Sequence, residues 1–344
     1  MKVHDAWFSR LFRCVVFVAS TGPSALFALQ IHPGDLIVVD SHNLQLPNHG
    51  VIIDINPTTG AQTTISADAL EQPTFACLDP NGAIIVADYG YVGGGGIFRI
   101  NPTTGQQTLI SGGGLISHPT AVVRDSKGDL IVTQHGLNQA IGAVLKINAT
   151  TGVQTLIASG NPLSVPESLA IEPNGNYLVS NFQSPVVGSS ILRIDANSGA
   201  QSVVSSGGHF DLGPFGVWLN NLSPHSLLVA SNSFVASSEL INVDTNTGAQ
   251  SVISSGGQLV RPIGVTQDPA GNIFVADQGQ GTAKILRIDP LTGVQSIVSS
   301  GGNLSTPLGI FVATPEPSSL LLAAVGFIGL ATWDWRRRSR SASV

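Results

Sequence analysis

Between residues 34 and 312 the apolar positions fall in short runs, broken by Gly, Pro, Asn, Asp and Ser. Pro73–Leu78 is followed by the turn Asp79-Pro80-Asn81-Gly82 and the wholly apolar run Ala83–Ala87. A glycine-rich loop, the run Ile97–Ile100, the turn Asn101-Pro102-Thr103-Thr104-Gly105 and a last run Gln106–Ile110 complete the unit. Runs this short, bounded by turn formers, predict strands, and the wholly apolar one predicts a strand buried on both faces. Proline presets, and glycine permits, the backbone angles that the reversals need. No helical spacing of apolar residues appears between the two ends, which excludes solenoids built on helices.

The second turn is one of six copies of a phrase. Asn56–Thr63 returns at Asn101–Thr108 and Asn148–Thr155, and with a leading aspartate at Asp195–Ser202, Asp244–Ser251 and Asp289–Ser296. Its glycines stand 45, 47, 47, 49 and 45 residues apart, the period of a four-stranded propeller blade. The first unit begins late: Gly34–Asp40 matches a second strand, with no first strand before it. The absent strand stands at the far end, as Pro307–Val312. Pairing these two ends would close the ring and leave no sheet edge open. The expectation is an all-β, six-bladed β-propeller over residues 30–313, closed by pairing a C-terminal strand at about 307–312 with the N-terminal blade.

Composition narrows the class. Of 344 residues 42% are apolar and only 10% charged, the reverse of a disordered chain, and two cysteines do not make a disulfide scaffold. The formal net charge is −6, but the basic residues crowd at the ends. Residues 30–317 hold eight basic and nineteen acidic side chains, a net −11. Such a body is a poor partner for nucleic acid and a better one for cations.

The ends read as addresses. Lys2, Arg10 and Arg13 precede an apolar stretch from Cys14 to about Leu29, the pattern of a signal peptide over residues 1–29. At the other end Pro315-Glu316-Pro317 precedes the apolar run Leu320–Ala331, then Trp333, Trp335 and Arg336, Arg337, Arg338 and Arg340. Counting Ser318 to Trp335 brings that run near the lower limit for a membrane span, with the arginines on the cytoplasmic side. Residues 314–344 resemble the PEP-CTERM sorting signal of Gram-negative bacteria. The resemblance implies an exosortase-type sorting enzyme as partner, transient anchoring in the inner membrane through the C-terminal helix, and display at the cell surface or in an extracellular matrix of exopolysaccharide.

The repeat itself resembles the NHL propellers, in Pro262-Ile263-Gly264-Val265 and Asp268–Asp277. That architecture carries enzymes and binding modules alike. In six-bladed gluconolactonase-type propellers, a metal is held by Glu, Asn and Asp near the starts of inner strands. Here the residues after the inner-strand proline are Thr74, Thr120, Glu167, Phe215, Ile263 and Leu308. One carboxylate among three apolar side chains cannot replace a divalent ion's hydration shell.

The loops entering the inner strands and leaving the second strands share one face. It gathers His42, His49, Asp88, Tyr89, Tyr91, His118, His135, Glu167, His209, Asp211 and Arg261, five of the chain's eight histidines among them. Of these, His42, His49, Asp88, Tyr89, His209, Asp211 and Arg261 are the expected ligand-binding set, for a glycan or a surface protein. Glu167 with His118 and His135 is the candidate catalytic set, as acid–base groups of a propeller lyase or hydrolase. The second strands end in Asp40, Asp88, Gln134, Asn181, Asn232 and Asp277, a ring whose oxygens could hold Ca²⁺ or bond local backbone; Asp40, Asp88, Asn181, Asn232 and Asp277 are the metal candidates. No other cofactor is expected. A basic tier on the third strands, including Arg99, Lys146, Arg193 and Arg287, recurs once per blade and reads as cross-strand pairing, not as a phosphate-binding patch. The recurring Ser-Gly-Gly at 111, 206, 255 and 300 reads as loop punctuation, and Cys77 as a small buried residue. The preferred reading is an exported, non-catalytic binding or scaffold propeller, with the enzyme as alternative.

Overall fold

The computed structural model describes residues 31–42, 49–66, 70–90, 94–136, 141–233 and 237–314. The leader, the Pro-Glu-Pro triplet with its arginine cluster, and Tyr91 lie outside these residues. Twenty-four strands form six antiparallel four-stranded sheets. The second blade shows the plan: inner strand β4 (Pro73–Leu78), then β5 (Ile84–Asp88), β6 (Gly96–Ile100) and outer strand β7 (Gln107–Gly112). The third to sixth blades repeat it over residues 119–159, 165–206, 213–255 and 262–300, with inner strands β8 (Pro119–Arg124), β12 (Val165–Ile171), β16 (Gly213–Leu219) and β20 (Pro262–Gln267).

The first blade is split. Its inner strand is β24 (Pro307–Val312), paired with β1 (Leu36–Asp40) from Leu36↔Val312 to Asp40↔Pro307; β2 (Val51–Ile55) and β3 (Gln62–Ser66) follow outward. Among the described residues no helix is long and apolar enough to cross a membrane. The run Leu320–Ala331 lies outside them.

The middle strands are largely apolar and buried because blades pack on both of their faces. Leu36 and Val38 of β1 enter a core shared with the sixth blade, whereas Ile37 and Val39 enter one shared with the second. In β5, Ile84 and Val86 face the first blade and Ile85 and Ala87 the third. Six such interfaces replace a single core, and each fully buried Ile or Leu contributes roughly 1.5–3 kcal/mol.

The repeated phrase and the Ser-Gly-Gly loops are one device. Gln154, opening β11 (Gln154–Ser159), donates from Nε2 to Ser111 Oγ and Gly113 O of the preceding blade, both at 2.9 Å, and accepts the Leu115 N–H at 2.6 Å. Ser111 Oγ in turn donates to Gly152 O at 2.8 Å. Gln250 and Gln295 repeat the clasp on Ser205 and Ser254, and Gln62 closes the ring onto Ser299. Gly152 has φ 70°, and a Cβ there would lie 2.3 Å from Ile110 O, so the turn needs glycine both for its backbone angle and for the approach of the preceding blade. On the third blade Ala158 stands where the other described clasps have serine. Gln201 of the fourth blade therefore donates only to the carbonyls of Ser159 and Gly160, at 3.2 Å each, while still accepting the Leu163 N–H at 3.0 Å.

Strand direction defines two ends of the ring. The Asp-Pro-Asn-Gly-type turns and the turn phrases lie at the lower end, where the third-strand tier is paired: Arg193 with Glu172 (2.7 and 2.8 Å), Lys146 with Asp129 (3.8 Å), Arg287 with Asn272, and Arg99 with Asp79, which also pairs with Arg124 of the inner strand β8. Chain entry and exit meet there too, Gly34 N donating to Ala313 O and Ala313 N to Asp35 O, both at 2.8 Å. The loops carrying most of the candidate chemistry lie at the upper end.

Candidate functional site

The tier at the ends of the second strands is tied to backbone. Asp40 accepts N–H bonds from Ser305, Thr306 and His42; Asp88 from Glu71, Gln72 and Gly90; Asp277 from Val260, Arg261 and Gly279. Gln134 and Asn181 do the same for Ser117 and for Ser164 and Val165. Each side chain thereby fixes the loop that leads into the inner strand of its own blade. Burial pushes the carboxyls of Asp40, Asp88 and Asp277 above the usual range, opposed by those N–H bonds. Asn232 breaks the pattern: it is 4% exposed and its Oδ1 has no hydrogen-bond partner among the described residues. Among the described residues no three His, Cys, Asp or Glu side chains converge as metal ligands.

The remaining residues of the upper face fall into separate groups. His42 sits at the end of β1, its Nδ1 3.2 Å from Ser41 Oγ, and His49 precedes β2 with its Nδ1 buried. On the fifth blade His209 Nδ1 lies 2.7 Å from Glu239 Oε2, and Asp211 accepts from Ser233 at 3.4 Å. Arg261 is exposed beside a groove between the fifth and sixth blades.

One group joins three blades. Tyr89, just after β5, packs its ring against His118 (centroids 4.7 Å apart, tilted 54°) and edge-on against His135 (5.5 Å, 79°). His135, just after β9 (Leu130–Gln134), brings Nε2 to 3.3 Å from Oε1 of Glu167, the odd member of the inner-strand tier. The two side chains are 12% and 19% exposed, enough screening from water to strengthen a charge contact and enough access for a ligand. Neither ring nitrogen of His135 makes an aligned hydrogen bond among the described residues. A small rotation would convert the 3.3 Å contact into one, and catalytic or ligand-binding bonds often tighten only on binding. His118, the residue before the inner-strand proline, has φ 55°, a conformation uncommon outside glycine and concentrated at functional sites. Its N–H donates to Gly94 O and its Nδ1 lies 3.1 Å from Ser117 Oγ. Tyr89, His118, His135 and Glu167 thus form a half-buried patch carrying a π face, imidazole nitrogens and a carboxylate.

The sequence singled out each of these residues but not their contacts. It missed Glu239 beside His209, and the pair Phe182–Phe215, whose rings are 5.9 Å apart. The signal available for Phe215 was its place in the same tier as Glu167.

Residues 313–338 match the PEP-CTERM protein-sorting motif, a signal that marks its carrier for export and exosortase-dependent sorting in Gram-negative bacteria. No curated protein matches the chain significantly. Solved structures match the propeller. A chain of a nidogen/laminin complex aligns with TM-score 0.65 and 13% identity, covering 82% of this chain and 99% of that one. TolB from Acinetobacter baumannii aligns with TM-score 0.61 and 13% identity, covering 82% and 67%. At such identity the likeness is one of fold alone.

Proposed function

We propose that this exported, exosortase-sorted propeller is a non-catalytic binding module displayed at the cell surface or in the surrounding matrix, and that it takes its ligand on the upper face at Tyr89, His118, His135 and Glu167. The observation that carries this reading is the convergence of these four side chains from three blades, with His118 held in a left-handed backbone conformation. A tyrosine ring offers a stacking surface for a sugar or an apolar side chain, and the imidazoles and carboxylate offer directional hydrogen bonds. The placement of the termini supports it: the chain leaves the ring at the lower end, so a propeller tethered by its tail turns the patch outward. The test is a glycan and surface-protein binding screen with the parent and the Tyr89→Ala and Glu167→Gln variants. A ligand retained by the parent and bound at least tenfold more weakly by both variants supports the site. Unchanged binding in both refutes it.

The contact between His135 and Glu167 favours a second reading, a propeller lyase or hydrolase in which the carboxylate orients the imidazole as general base. Conversion of a ligand so identified, lost in His135→Gln, would establish it over the first.

A further inference from the structure

The groove between the fifth and sixth blades holds the one arginine among the described residues that the fold does not use. Arg99, Arg124, Arg193 and Arg287 all pair at the lower end. Arg261 stands exposed on the upper face, and its guanidinium makes no ion pair or hydrogen bond among the described residues, in a body of net charge −11. Its backbone, by contrast, is fixed: its N–H is held by Asp277 Oδ2 at 3.0 Å and its carbonyl by Gln278 N at 3.0 Å. A rigid anchor with an unengaged planar cation suits a planar anion.

The groove has a volume of about 550 Å³, and Phe182 and Phe215 line it together with Arg261. The two rings are half-buried and tilted 36° to each other. Room for Phe182 is made by Gly213, whose Cβ, if present, would lie 2.3 Å from the ring. Asn232, Ser238 and Gln280 supply polar groups around the same space, and Asn232 Oδ1 is the buried acceptor without a hydrogen-bond partner among the described residues. Buried polar atoms in native proteins are nearly always satisfied, so an orphan beside an open groove marks a place for a donor. Aromatic rings for the C–H face of a sugar, amide and hydroxyl groups for its hydroxyls, and a guanidinium for a carboxylate describe one ligand class.

We propose that this groove binds a carboxylate-bearing saccharide, a uronic-acid unit of an oligosaccharide, with Arg261 on the carboxylate and the sugar against Phe182 and Phe215. The site is distinct from the patch around Tyr89 and does not rest on it. A purely acidic peptide would satisfy Arg261 and could offer an N–H to Asn232, but it lacks the flat C–H face that a sugar presents to the two phenyl rings.

Calorimetric titration of the full chain in detergent, with a galacturonic-acid tetramer, the neutral galactose tetramer and poly-glutamate, tests the proposal. The expected result is saturable binding of the acidic tetramer, with the neutral tetramer and poly-glutamate at least tenfold weaker. Arg261→Gln should lose at least tenfold, Arg261→Lys should lose less than that but measurably, and Lys127→Gln, which removes one positive charge from a lower-end turn, should bind as the parent does. Circular dichroism confirms that each variant is folded. No binding of the acidic tetramer, equal binding of either comparison polymer, or an Arg261→Gln variant that binds like the parent would overturn the proposal.

Discussion

Asp54 offers the most quantitative test of how burial sets stability in this ring. It lies on β2 opposite Ile37 and Thr63, is 8% exposed, and its Oδ1 has no hydrogen-bond partner among the described residues. Burial, assisted by the nearby Asp35 carboxylate and opposed by His32, pushes its carboxyl up to about 6. A carboxyl whose pKa is raised on folding holds its proton more tightly in the folded state, so stability falls as pH rises from the unfolded value near 4 to the folded value near 6. Above that window the full cost of an ionised, unpartnered carboxylate persists, on the order of 3 kcal/mol, because a tenfold change in proton affinity corresponds to about 1.36 kcal/mol. Asp54→Asn removes the charge with almost no change of shape. The variant should therefore be about 2–3 kcal/mol more stable than the parent at pH 7 and nearly equal to it at pH 4. Asp40, Asp88 and Asp277 are also raised and slope in the same direction, so the informative quantity is the difference between variant and parent in urea unfolding across pH 4–8. A pH-independent difference, or a variant less stable at pH 7, would mean that the Asp54 carboxylate is satisfied in the folded protein and would refute the reasoning.

Ala158→Ser should restore the clasp missing between the third and fourth blades, adding one hydrogen bond to Gly199 O and one from Gln201, and raise stability by about 1–2 kcal/mol in thermal or urea unfolding. The reverse change, Ser254→Ala, should lose a similar amount, because Ser254 now bonds Gly293 O at 2.7 Å and Gln295 Nε2 at 2.9 Å. The thiol of Cys77 is pushed up to about 12 by burial, so alkylation at pH 8 should be slow in the folded chain and rapid once it is denatured. A chain ended at Thr306 lacks β24 and exposes the edge of β1, and size-exclusion chromatography should show it aggregated, with loss of cooperative unfolding.

The ring was legible in the chain because six copies of one phrase impose a period, and because a first unit without an inner strand has its complement at Pro307–Val312. Burial of β5 on both faces was legible in Ala83–Ala87 for the same reason: a strand with no polar position has no face to give to water. The clasp was visible only as repetition, since Gln154 acts on the blade before its own and nothing local to it shows that partner. The site was legible as a set of residues and not as a geometry. Tyr89, His118, His135 and Glu167 come from three blades, and their contacts depend on loop conformations such as the φ of 55° at His118, which no residue type encodes. Arg261 was conspicuous in the chain, but its unengaged state emerges only once the other arginines are seen to be paired.

The seam that completes the ring also determines how the molecule carries load. The sorting motif begins at residue 313, directly after β24, so any pull on the tail runs down that strand. Its hydrogen bonds to β1 lie across the strand axis, and a force along that axis strains the five paired positions together in shear instead of opening them one at a time. A propeller held by its tail, as the proposed display requires, would resist drag up to the collective strength of the ladder. When it yields it removes the inner strand of the first blade, so the point of attachment and the point of mechanical failure are the same five residue pairs.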